Sequence, residues 1–196
     1  MPRIEALLQD RRLYALLGKF DEDLAQGARS EGCRCGGRLH RATYPRKPRG
    51  GPVDLGDDYD RRYSFCCAEE GCRRRATPPS VRFLGRKVYL GAVVLVATAM
   101  QHGPTPTRTA RLRELVGASM RTLRRWRSWW REAFCATAFW KAARGSLSSP
   151  VAEALLPLSL LERFRAPGRT WRSVVALALS FLGPLTTTGS SAERGK

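Results

Sequence analysis

Five of the six cysteines in this chain fall between Cys33 and Cys72, in a stretch rich in Gly and Pro and poor in apolar residues. Such a stretch has too little apolar surface to fold by burial alone, so its structure depends on what the thiols do. They form two short-spaced pairs: Cys33 and Cys35 in "GCRCGG", and Cys67 and Cys72 in "CCAEEGC". Two such pairs make the zinc-ribbon pattern, in which each turn delivers two thiolates to one tetrahedral Zn²⁺. The metal would contribute roughly 10–16 kcal/mol toward folding a small module. The second pair has ordinary spacing. The first, with one intervening residue, is tighter than the common two to four. Gly36-Gly37 supplies the flexible turn.

Cys66 and Cys67 are adjacent, and on a strand their side chains face opposite ways, so one of them at most joins the site. Spacing to Cys72 favours Cys67, leaving Cys66 to pack as a small apolar side chain, with His40 as an alternative ligand. Cys135 stands alone after Phe134 and reads as a core thiol.

A second constraint lies in "VGASMRTLRRWRSWWREAF" (Val116–Phe134). Phased at about 100° per residue, Leu123, Trp126, Trp130, Ala133 and Phe134 form one stripe, which must face a core. Arg121, Arg124, Arg125, Ser128 and Arg131 fall opposite, with Arg127 and Trp129 on the flanks. Before it, a helix carrying Leu112, Leu115 and Val116 meets Gly117, suited to a left-handed helix end, and Ser119 is a strong N-cap. Two helices joined so tightly predict a helix-turn-helix. An outer face of one charge sign predicts a duplex DNA partner. Arg121, Arg124 and Arg125 would reach guanine edges; Arg108, Arg111, Arg127 and Arg131 would meet phosphates.

The overall charge agrees. The 196 residues carry 35 Lys and Arg against 17 Asp and Glu, a net +18, which favours polyanionic partners. Thirty of the 35 are Arg. A GC-rich genome explains Arg over Lys but not the excess over acids. Residues 101–150 hold ten of these cations and two acids, Glu114 and Glu132, so the basic patch is local.

The pattern predicts a mainly α chain with a small β zinc ribbon. Its parts are an N-terminal amphipathic helix (residues 1–30, periodic over Ile4–Gln26 and ended by "GARSEG"), a ribbon module (31–85), a helix-turn-helix domain (86–145), a C-terminal helical pair (146–185) and a disordered tail (186–196). Within the ribbon, Thr43–Asp60 reads as an exposed loop and Arg61–Cys67 as a strand. "YPRKPRGG" (Tyr44–Gly51) reads first as an unstructured basic loop, with a minor-groove arm, suggested by Arg in a Pro/Gly frame, as the alternative. Helices are expected over Val88–Met100, Arg108–Val116, Met120–Phe134, Pro150–Arg165 and Thr170–Leu182. The apolar runs are shorter than the roughly 20 residues a bilayer needs, and the N-terminus lacks a signal-peptide core. A cytoplasmic, nucleoid-associated protein with no membrane or small-molecule partner is expected.

Taken together, "CRCGGRLHRATYPRKPRGG", "FCCAEEGCRRRATPPSVRFLGRKVYLG" and "VGASMRTLRRWRSWWREAF" resemble small bacterial zinc-ribbon plus helix-turn-helix proteins associated with insertion sequences, over roughly residues 1–185. The resemblance implies DNA binding in a mobile-element setting, as a transposase-like or transposase-accessory protein; the apolar C-terminal helices leave room for a transposase partner or a self-dimer. By match, Cys33, Cys35, Cys67 and Cys72 would be ligands and Arg121, Arg124 and Arg125 would read DNA. It supplies no reaction. An enzyme is not expected: two-metal strand transfer needs convergent carboxylates. After Glu70 the chain has five Glu and no Asp. The alternatives are an RNA-binding ribbon, with Tyr44 stacking on bases, and a transcriptional regulator unrelated to transposition.

Overall fold

The computed structural model describes residues 4–84, 87–100, 106–147 and 149–187, with the side chain of Arg108 outside the description. The chain is mostly helical with a small antiparallel sheet.

The N-terminal segment is divided where one helix was expected. A 3-10 turn (Ile4–Gln9) gives way to α1 (Arg11–Glu31) at Asp10, whose carboxylate accepts the Arg12 N–H at 3.0 Å. An Asp at this position satisfies an end group that the helix itself leaves unpaired. α1 also runs past Gly27, the expected end. Its first half buries Leu13, Tyr14 and Leu17 in the main core, while Ala25 and Ala28 lie on the ribbon against Leu39, Phe65 and Cys67. That second contact carries the helix through a glycine.

The ribbon consists of β1 (Leu39–Arg41), β4 (Phe65–Cys67) and β5 (Arg75–Ala76) in the order β1-β4-β5, all antiparallel. A separate pair joins β2 (Tyr44–Pro45) to β3 (Arg61–Arg62). The expected strand Arg61–Cys67 is therefore two strands in two sheets. The expected loop Thr43–Asp60 holds β2, a 3-10 turn (Asp57–Asp60) and the buried ring of Tyr59. Tyr59 packs edge-on to Tyr14 of α1, which draws the loop onto the core.

α2 (Gly91–Ala99) is buried at every position. A helix with no polar face belongs at the centre of a bundle. It packs against the N-terminal turn, α3 (Pro106–Val116), α4 (Met120–Arg131) and α8 (Trp171–Phe181). α3 starts at Pro106, a position where the missing N–H costs no helical bond. The helix expected over Met120–Phe134 breaks at Glu132, and α5 (Ala133–Ala136) and α6 (Ala138–Ala143) follow. Pro150–Arg165 shortens to α7 (Leu158–Arg163), preceded by a 3-10 turn (Glu153–Leu155), because Pro157 cannot sit inside a helix.

One apolar cluster extends from Leu7 to Leu182, and a smaller one lies under the ribbon. They are joined by a buried polar knot. The Asp21 carboxylate accepts from the Val81 N–H at 2.6 Å, from Ser80 Oγ, and from Arg82 Nε at 2.8 Å. Arg82 also donates to the Asp58 and Arg61 carbonyls and lies over Tyr59, Tyr63 and Phe83. At the C-terminal end, Gly183–Thr186 forms a 3-10 turn, with Thr186 Oγ1 accepting the Ser80 N–H. Residue 186, where the tail was expected to begin, is thus packed; 188–196 lie outside the described residues. Among the described residues, no helix is long and apolar enough to cross a membrane.

Candidate metal centre and candidate nucleic-acid interface

Cys33, Cys35, Cys67 and Cys72 converge, with all four sulfurs within 4.8 Å of one another. Cys33 and Cys67 are buried, Cys72 half-buried and Cys35 exposed. The first turn is closed by the Gly36 N–H to Cys33 O (2.8 Å) and the Cys33 N–H to Gly37 O (3.0 Å). The second is closed by the Cys72 and Arg73 amides on Glu69 O, each at 3.0 Å. Across the turns, Cys33 and Cys72 sulfurs are 3.6 Å apart and Cys35 and Cys67 sulfurs 3.5 Å. A disulfide would bring sulfurs to about 2.0 Å. Four sulfurs at about 2.3 Å from a tetrahedral ion stand about 3.8 Å apart, so the cluster has the dimensions of a four-thiolate site. The cluster could hold a metal ion.

Gly37 makes this approach possible. A Cβ there would lie 2.8 Å from Cys67 Sγ and 2.5 Å from Glu69 Cγ. Strand alternation explains the choice between the neighbours: Cys67 faces the cluster. Cys66, paired in register with His40 on the other face, is half-buried and reaches the Arg73 carbonyl at 3.5 Å. His40 is exposed on that face, away from the cluster. Cys135 is half-buried on the Trp130 carbonyl.

The thiols are electrostatically unequal. The Cys35 backbone N–H holds Cys33 down to about 7, against burial and with help from the neighbouring thiols. At Cys67 the Glu69 amide favours the thiolate, but burial and the other three sulfurs prevail and push it up to about 12. Cys72 is also raised: the Arg74 amide lowers it, and the Cys35 and Cys33 sulfurs outweigh that. One negative charge in the cluster suppresses the next. A cation held by the four sulfurs would favour every thiolate at once and offset that repulsion.

The second candidate site is α4. Ser119 caps it, its Oγ accepting the Thr122 N–H at 3.2 Å, and Gly117 takes the left-handed conformation (φ +60°) just before. Leu123, Trp126 and Trp130 are buried, and Arg121, Arg124, Arg125 and Arg131 are exposed. Phe134 is buried but Ala133, expected on the same stripe, is exposed. The break at Glu132 (φ −114°, ψ −75°) changes the phase between them. Arg127 and Trp129 are half-buried. Ser128 is half-buried and donates to Glu132 Oε2 at 2.9 Å. Arg111 is exposed on α3 with Nη2 3.3 Å from Glu5 Oε1. The side chain of Arg108 lies outside the described residues.

α4 is braced from below. The Tyr89 hydroxyl donates to the Gly117 carbonyl at 3.1 Å, and its ring meets Trp126 edge-on at 4.8 Å. Lys87, absent from the expected set, places Nζ 3.6 Å from the centre of the Trp129 ring. Burial and then the Arg125 charge lower it to about 8. Its signal in the sequence is slight: one lysine in "GRKVYLG" with no helical phase to orient it. A shallow concavity of about 440 Å³ opens at the turn, lined by Ala110, Arg113, Glu114, Gly117, Ala118 and Ser119.

Comparison with protein-family models, curated proteins and solved structures found no match to this chain.

Proposed function

We propose that this chain is a sequence-specific duplex-DNA-binding protein in which α3, the Gly117–Ser119 turn and α4 act as a helix-turn-helix. Cys33, Cys35, Cys67 and Cys72 would hold a structural Zn²⁺. One observation carries the reading: α4 has an inner face of Leu123, Trp126 and Trp130 and an outer face of exposed Arg121, Arg124 and Arg125. Arg121 and Arg125 are one turn apart, and like charges at that spacing repel in a free helix. Phosphates and guanine edges would offset that repulsion.

In this reading the N-terminal half of α4 enters the major groove. Arg121, Arg124 and Arg125 donate paired hydrogen bonds to guanine O6 and N7, each pair discriminating by about 1–3 kcal/mol. Arg111, Arg127 and Arg131, with Arg108 and Ser128, meet the sugar-phosphate backbone and set register. Zinc would act structurally, fixing the ribbon on which α1 rests. The mobile-element setting and a separate transposase partner follow from the resemblance noted above; the scarcity of acids after Glu70 supports a chain with no strand-transfer reaction of its own.

Fluorescence anisotropy across a salt series tests this, with labelled duplexes selected from a random pool against single-stranded RNA. The expected result is tighter binding to selected duplexes, reduced about 10- to 100-fold by Arg124→Ala. Equal or stronger binding to RNA, or no loss from Arg121→Ala, Arg124→Ala and Arg125→Ala together, would reject it.

A further inference from the structure

The stretch Tyr44–Gly51 is fixed beside α4. Arg49 forms a parallel bridge with Tyr89, its N–H donating to Val88 O at 3.1 Å and its carbonyl accepting from Leu90 N–H at 3.2 Å. Arg46 Nη2 donates to the Lys87 carbonyl at 2.8 Å. Gly50 (φ +88°) is pressed so close that a Cβ would lie 3.1 Å from the Tyr89 ring and 3.2 Å from the Val116 carbonyl. Val116 ends α3, and Tyr89 is the residue that bonds Gly117 and supports Trp126. The arm thus adjoins the turn from which α4 starts. Lys47 and Arg49 are exposed, and neither is engaged in an ion pair among the described residues.

We infer that Lys47 and Arg49 form a second contact strip that grips the phosphate backbone of the duplex whose groove α4 reads. This inference rests on the DNA-binding reading above. Pro45 and Pro48 restrict the backbone, and the Arg49–Tyr89 bridge anchors it, so two cations are presented with little ordering left to be done on binding. Side chains on a docked extended segment hold phosphates without reading sequence. Pro48, Gly50 and Gly51 share a concavity with Asp54, Asp57 and Asp60, so the cationic strip is confined to the exposed side chains of Lys47 and Arg49.

The test compares the zinc-loaded 196-residue chain, Lys47→Ala/Arg49→Ala and Arg121→Ala/Arg125→Ala on mixed-sequence and selected duplexes over a salt series. The arm variant is expected to keep the parent's thermal midpoint and its sequence preference, to bind all duplexes roughly ten-fold more weakly, and to flatten the log K against log[salt] slope by about 2. Arg49→Lys is expected to retain the slope. Parent-like affinity and slope in the arm variant, while Arg121→Ala/Arg125→Ala is impaired, would overturn the strip and leave the DNA reading intact. An altered sequence preference would also overturn it, as a base contact. A parent that binds no duplex would overturn both.

Discussion

The Arg82 guanidinium lies 2.8 Å from the Asp21 carboxylate, with both side chains sealed from water. The pair joins α1 to the segment that leaves the ribbon for α2; Ser80 and Val81 donate further bonds to the carboxylate, and the Asp58 and Arg61 carbonyls accept from the guanidinium. Removing one partner strands the other charge in a low-dielectric interior. Arg82→Met is expected to lose about 3–5 kcal/mol in urea unfolding. Asp21→Asn/Arg82→Met is expected to lose less than the sum of the single changes, since neither charge is then left unpaired.

The cysteine cluster predicts a metal stoichiometry of one per chain. Elemental analysis of Cys67→Ser is expected to show loss of the metal, whereas Cys66→Ser and His40→Ala retain it. Gly37→Ala, which forces a methyl against Cys67 Sγ, is expected to weaken metal affinity without removing a ligand. A strong chelator is expected to destabilise the ribbon, followed by amide exchange at β1 and β4.

Lys87 gives a pH signature. Its folded-state value is about 8, below the ordinary 10.5, so between these limits the unfolded chain binds the proton that the folded chain has released. Stability contributed by this group therefore rises with pH across roughly 8 to 10.5. Below pH 8 the charged form disfavours the fold. Unfolding free energies of the parent minus those of Lys87→Met, measured from pH 7 to 10, are expected to increase across that window. A flat difference would mean that Lys87 is not desolvated against Trp129.

Gly50 bears the docking of the basic arm. Any other residue would carry the unfavourable φ of +88° and place a Cβ 2.8 Å from Val93 Cγ1, a core side chain of α2. Gly50→Ala is expected to lose about 1–3 kcal/mol and to expose the Arg49–Tyr89 bridge to amide exchange. Gly56→Ala, with a similar φ and open space around it, is expected to cost less.

Much of this arrangement was written locally. The spacing in "LRRWRSWWR" sends Leu123, Trp126 and Trp130 inward, and strand alternation selects Cys67 over Cys66. Ser119 and Gly117 mark the turn as residue types alone. Other features depend on contacts between distant parts of the chain. Asp21 lies on the same stripe of α1 as Tyr14 and Leu17, an acid where an apolar residue was due. That was a legible anomaly, but its partner Arg82 could not be chosen among thirty arginines. The exposure of Ala133 follows from a backbone break at Glu132 that no Gly or Pro announces. The Tyr44–Gly51 stretch reads as a free loop because its partners, Asp60, Arg61 and Arg62 on one side and Lys87, Val88 and Leu90 on the other, lie well along the chain.

Guanidinium NMR can follow the outer arginines of α4 one by one as duplex DNA is added. With the zinc-loaded protein and a selected duplex, the Nε–Hε signals of Arg121, Arg124 and Arg125 are expected to shift and gain protection from solvent exchange, with those of Arg34 and Arg73 on the ribbon unchanged. Shifts confined to the ribbon arginines, with the α4 signals unmoved at saturation, would contradict it.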